Sequence, residues 1–172
     1  MGSIDNLEFV EIGTGGVAGL TLTGYVLVFF DGADDTSYFA VDLSVPTTSA
    51  GLLVVGNSLV APFPQITMPN QTLQNGADAV AIFQGTAADF PAGTPVAGLA
   101  PIDALVHDTG QPDDAGLIAP LLGAGAGAVQ VDEASTDAEA HSMRRCGAAR
   151  RDGRVFDVGT PSPGVFNGPS CP

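Results

Sequence analysis

The chain has 172 residues, 45% of them hydrophobic and 14% charged, with a mean hydropathy of +0.28, which excludes a disordered chain and suits one domain with a sizeable core. Nineteen acidic residues face five arginines and no lysine, for a formal net charge of -14. That balance excludes nucleic acid as a ligand, because such affinity comes from basic side chains that displace counterions, and it argues against anionic membranes.

Residues 1–6 read as a cloning remnant or linker, and 7–172 as a single domain. The first strand is expected over Leu7–Ile12 (LEFVEI), followed by the glycine-rich turn Gly13-Thr14-Gly15-Gly16-Val17-Ala18-Gly19. A long strand over Leu20–Phe30, interrupted near Gly24, ends in Tyr25-Val26-Leu27-Val28-Phe29-Phe30. Its alternate residues point to opposite faces, so a run apolar at every position must be covered on both. Further strands are expected over Ser37–Leu43, Gly51–Val55, Ala77–Phe83 (Val80 and Ile82 inward), Pro101–His107, Ser142–Cys146 and Val155–Val158. Asn75-Gly76 is a tight-turn pair. The Gly/Ala-rich stretch from Leu117 to Val131 reads as loop, since a helix over Ala115–Leu122 would hold Pro120 in its interior. Short strands, turns every 8–12 residues and little helical periodicity predict an all-β fold, a β-sandwich in preference to a barrel.

No segment is long and apolar enough to cross a membrane, and none has the basic-then-apolar order of a secretory leader. Cys146 and Cys171 are expected to form a disulfide that pins the tail, worth about 3 kcal/mol in an oxidising compartment, with two free thiols in a reducing cell as the alternative. The preference for the disulfide rests on reading the chain as a secreted protein.

Few residues suggest chemistry. The glycine-rich turn has the spacing G-x-G-x-x-x-G and leads into β-rich sequence, so no helix N-terminus is expected there to hold a pyrophosphate. His107 beside Asp108, or with Asp103, is a conceivable general base. A surface histidine at a strand end is the preferred reading. Carboxylates cluster at Asp31/Asp34/Asp35, Asp108/Asp113/Asp114 and Asp132/Glu133/Asp137. Calcium takes six to eight oxygens from such loops, but no EF-hand spacing is present. Solvated loops are therefore preferred, with calcium at the first two clusters as the alternative. The five arginines, all between Arg144 and Arg154, are expected to pair with carboxylates of the chain itself.

The order of segments resembles the lamin-tail domain, in particular its bacterial secreted branch. The resemblance rests on Glu8-Phe9-Val10-Glu11-Ile12 and on Leu22-Thr23-Gly24-Tyr25 running into VLVFFDG. It continues through Gly51–Val55, through Leu73-Gln74-Asn75-Gly76-Ala77-Asp78-Ala79-Val80-Ala81-Ile82, and through Ile102–Val106. It closes with Ser142-Met143-Arg144-Arg145-Cys146 and Thr160-Pro161-Ser162-Pro163-Gly164-Val165-Phe166-Asn167. The resemblance implies an immunoglobulin-like β-sandwich without catalytic residues or cofactor, often an accessory module beside extracellular enzymes. Family members begin with a strand ahead of the E-F-V-E-I strand, and here that strand has no counterpart. The edge formed by Leu7, Phe9 and Glu11 is therefore expected to accept a strand from another protein or a second copy of this one.

The functional expectation is a non-enzymatic, extracellular or cell-surface module that mediates protein contact. Its alternatives are a calcium- or carbohydrate-binding accessory module of a secreted hydrolase or nuclease, and a hydrolase built on His107.

Overall fold

A computed structural model describes residues 6–133 and 141–167. The chain is mostly β, as the turn-punctuated apolar runs require. Among the described residues, no helix is long and apolar enough to cross a membrane. The chain divides into two compact units, each assembled from several stretches of sequence.

The first unit comprises Met1–Thr23, Leu43–Leu73 and Ser162–Phe166. Its sheet has three strands: β1 (Phe9–Gly13), β4 (Leu52–Gly56) and β5 (Ile66–Thr67). β4 lies between antiparallel β1 and parallel β5 and is buried at every position. Beside the strands a buried polar knot forms. The Glu8 N–H donates to Asn57 Oδ1 (2.7 Å), Asn57 Nδ2 donates to the Pro69 carbonyl (2.7 Å), and the Thr72 N–H donates to Glu8 Oε2 (2.9 Å). Most buried polar groups are paired in this way. The glycine-rich stretch after β1 leads to no helix. Gly15, Gly16 and Gly19 all take positive φ there, the signature of turn glycines.

The second unit comprises Gly24–Asp42, Gln74–Pro161 and Asn167–Pro172. Its five-stranded sheet runs β3 (Thr36–Asp42), β2 (Tyr25–Asp31), β6 (Asp78–Gln84), β7 (Asp103–Asp108) and β8 (Val131–Asp132). β9 (Ser142–Arg145) and β10 (Phe156–Gly159) form a separate antiparallel pair. As its sequence demands, β2 is central and buried from Val26 to Phe30. Its two neighbours in the sheet, β3 and β6, are both antiparallel to it.

One face of the sheet makes the core of this unit. Val26, Val28 and Phe30 pack with Ala79, Ala81, Phe83, Ala104 and Val106, and with Leu117, Leu121 and Leu122. β6 is thus buried on both faces, not only on the one predicted from Val80 and Ile82. The small residues Ala79 and Ala81 belong to this core, where they leave room for leucines. Val80 is buried too, and Ile82 is half-buried.

The largest departure from expectation is α1 (Ala115–Leu122), a helix where a loop is predicted. Pro120 forfeits one backbone bond, but two effects outweigh it. Asp114 caps the helix by accepting from the Gly116 and Leu117 N–H groups at 2.7 and 3.1 Å. Leu117, Leu121 and Leu122 bury one face. At the other end the Arg151 guanidinium donates to the Leu121 carbonyl, so charge at both ends complements the helix dipole.

Candidate functional site

Strand register builds the most distinctive chemistry of the second unit. Asp31, the last residue of β2, stands opposite Asp78, the first of β6, and Asp78 stands opposite His107 on β7. One residue further, Asp108 pairs with Asp132 of β8. Clusters far apart in sequence thereby meet at one rim of the sheet.

Two glycines allow the close approach. A Cβ on Gly32 would strike the Ala77 carbonyl and come within 2.5 Å of Asp114 Oδ2. A Cβ on Gly116 would strike the Asp35 carboxylate. The carboxylates therefore rest directly on bare backbone. The Gly32 N–H donates to the Ala77 carbonyl (3.0 Å) and, at a long 3.4 Å, to Asp78 Oδ1.

The rim carboxylates fall into two groups. Some are satisfied: Asp34 Oδ1 accepts from the Thr36 N–H and hydroxyl, and Asp108 accepts from the Gly110 N–H (2.6 Å) and from Gln130 Nε2 (2.6 Å). Gln130 Oε1 in turn accepts the Asp114 N–H (3.0 Å), locking the start of α1 to the end of β7. Others are not: Asp78 is 1% exposed, yet its Oδ2 has no partner, and neither has the buried Oδ1 of Asp35.

The electrostatics follow. Burial, with Asp31 and Asp114 nearby, pushes Asp78 up to about 6, although the Gly32 and Gln74 backbone N–H groups pull the other way. Burial and the charges of Asp114 and Asp34 raise Asp35. Burial and Asp108 raise Asp132. The charged neighbours acting on these three groups are all acidic.

The opposite holds at β9–β10. Arg145 grips both oxygens of Asp103 at 2.9 Å and lies over the Phe156 ring, 4.6 Å from its centroid. Arg144 pairs with Asp157 and Arg154 with Asp152, each at 2.8 Å. These are the internal pairings expected of arginines on so acidic a chain.

In the first unit, β1 has β4 as its only strand partner among the described residues. Phe9 and Glu11 lie in this strand, whereas Leu7 precedes it and is 61% exposed. The Glu11 side chain accepts the Gly164 N–H (2.7 Å), and burial raises its pKa. Gly164 also abuts Pro62, and Phe63, Val165 and Phe166 are exposed.

Of the residues singled out in sequence, Asp31, Asp34, Asp35, Asp108 and Asp114 come together at the rim, and Asp113 is exposed beside them. His107 is corrected: it is 7% exposed, not a surface residue, and burial lowers its pKa to about 4. Cys146 is buried, while its expected partner Cys171 and the acidic Asp137 lie outside the described residues. Sequence reasoning misses Asp78 and Gln130. An aspartate opening an apolar strand directly after an Asn-Gly turn is the available signal for the first, and nothing marks the second. Comparison of the chain with protein-family models, with curated proteins and with solved structures finds no match.

Proposed function

We propose that this chain is a non-catalytic, extracellular or cell-surface module of the immunoglobulin-like, lamin-tail type that engages other protein chains through its first unit. One observation carries the reading. Among the described residues β1 is hydrogen-bonded to a strand on one side only, and the same unit exposes Leu7, Leu59, Phe63, Val165 and Phe166, each by 59–65%. An edge strand offers a row of N–H and C=O groups to an incoming extended segment, and apolar side chains beside it supply the desolvation that makes such pairing persist. The candidate general base, His107, is buried within β7, which favours a binding role over a hydrolytic one.

The test reads the edge directly. Sedimentation over a wide concentration range is combined with hydrogen exchange at the β1 amides, and extended peptides displayed on phage are selected against the protein. Self-association or a selected peptide that slows β1 exchange, and that Phe63→Asp with Phe166→Asp abolishes, supports the reading. A monomer that selects no peptide at β1 overturns it.

A further inference from the structure

We propose that the partner of the β1 edge is an extended, uncharged and apolar segment of a different protein. This rests on the reading of the first unit as a docking module and adds the chemistry of what docks. The first unit is set apart by its surface. Of the eight large apolar side chains that stand exposed among the described residues, all but Tyr25 belong to it. Its only charged side chains among the described residues are Glu8 and Glu11, while all five arginines belong to the second unit. Neither glutamate is a fully solvated surface charge. Glu8 is 7% exposed and accepts the Thr72 N–H, and half-buried Glu11 accepts the Gly164 N–H.

The segments that carry these apolar residues are anchored along the length of β1. At its start, the Glu8 N–H donates to Asn57 Oδ1, and the Asn57 N–H donates back to the Glu8 carbonyl (2.9 Å). Leu7 precedes this Glu8, and Leu59 lies in the turn that the Val60 N–H closes on the Asn57 carbonyl. In its middle, Glu11 holds Gly164, which Val165 and Phe166 follow, and Gly164 abuts Pro62, which Phe63 follows. Just past its end, the Thr14 hydroxyl donates to the carbonyl of exposed Val17 (3.1 Å). A strand added at this edge gains backbone hydrogen bonds along β1 and apolar contact beside it.

Three other occupants fit less well. A basic segment meets no fully exposed carboxylate among the described residues of this unit. A second copy brings a like net charge of -14, and such self-repulsion keeps chains apart. A lipid surface would accept the apolar side chains, but the backbone groups of an open sheet edge find no partners in hydrocarbon. An uncharged strand pairs with the edge, covers the apolar residues and carries no charge to be repelled or stranded.

The experiment selects short random peptides displayed on phage against the full chain. The selected peptides are then measured by calorimetry and by hydrogen exchange at the β1 amides. The pool should be enriched in Val, Ile, Thr and aromatic residues and depleted in Asp, Glu, Lys and Arg. Affinity should change by less than about twofold between roughly 50 and 500 mM sodium chloride, because screening has no charge pair to act on. Phe63→Glu and Phe63→Lys should each weaken binding about tenfold, equally for either sign of charge. Phe63 is 65% exposed, and circular dichroism verifies that both variants keep the fold. Charged peptides that bind at β1 and lose affinity with salt overturn the uncharged partner and leave the docking reading in place. Self-association through β1 that strengthens as salt screens the like charge does the same, assigning the edge to a second copy. Binding to phosphatidylcholine vesicles with no peptide selected at β1 overturns both, as does a monomer that binds neither.

Discussion

Asp103 and Asp108 stand at the two ends of β7, about 17 Å apart. At one end both oxygens of Asp103 accept from Arg145 Nη2, and Oδ1 accepts also from the Arg151 N–H. At the other, Asp108 makes do with an amide and a backbone N–H, and its neighbours are further carboxylates. All five arginines lie between Arg144 and Arg154, and three of them form ion pairs on or beside the β9–β10 pair. A protein with net charge -14 could have spread its arginines evenly. Concentrating them leaves one rim charged and uncompensated, and that rim is where two buried carboxylate oxygens lack donors.

The sharpest way to probe this asymmetry is Asp78→Asn. Burial raises the folded-state pKa from 3.8 to about 6. The stability linked to that proton is present below the unfolded value and is lost as pH rises through about 6. A tenfold change in proton affinity is worth about 1.4 kcal/mol, so the variant should gain on the order of 3 kcal/mol above pH 6 and gain little below pH 4. His107, lowered from 6.5 to about 4, acts with the opposite sign: its contribution is present above 6.5 and is lost as pH falls through about 4. In the wild type the two windows oppose each other. Removing Asp78 should therefore also steepen acid unfolding, as denaturant melts across pH will show. An unchanged profile would break the comparison.

At the other end of β7, Arg145→Gln should cost about 1–2 kcal/mol in urea unfolding. It removes a partly buried ion pair, made by one guanidinium nitrogen, and a guanidinium packed on Phe156, a loss discounted because the pair is about a quarter to a third exposed. Smallest is Arg154→Gln. The Arg154 side chain is 57% exposed in its pair with Asp152, and its removal should leave the Tm within experimental scatter.

How much of this is legible in the sequence depends on what each feature rests upon. Apolar runs such as Leu27-Val28-Phe29-Phe30 and Leu52-Leu53-Val54-Val55 announce buried strands whatever surrounds them. The helix over Ala115–Leu122 is hidden because Pro120 is a strong local signal, while the leucine burial that overrules it is a tertiary fact. Two-residue β5 and β8 carry no pattern of their own and exist only through parallel partners. At the rim, the separate clusters around Asp31 and Asp114 are visible in sequence. Their convergence on Asp78 is not, since it depends on the register of three strands and on the side-chain-free backbone of Gly32 and Gly116. The arginine pairings are legible in outline because so few cations face so many acids.

The hydrogen bond from Gly164 to Glu11 joins residues 153 positions apart. During synthesis Glu11 leaves the ribosome long before its partner has been translated. The strands of the first unit all lie before residue 68 and can pair early, but the unit gains the segment Ser162–Phe166 only much later. Until then Glu11 lacks the Gly164 N–H. Fragments that stop short of residue 162 should therefore be prone to aggregate, and expression libraries trimmed from the tail should show an abrupt fall in soluble yield at that point.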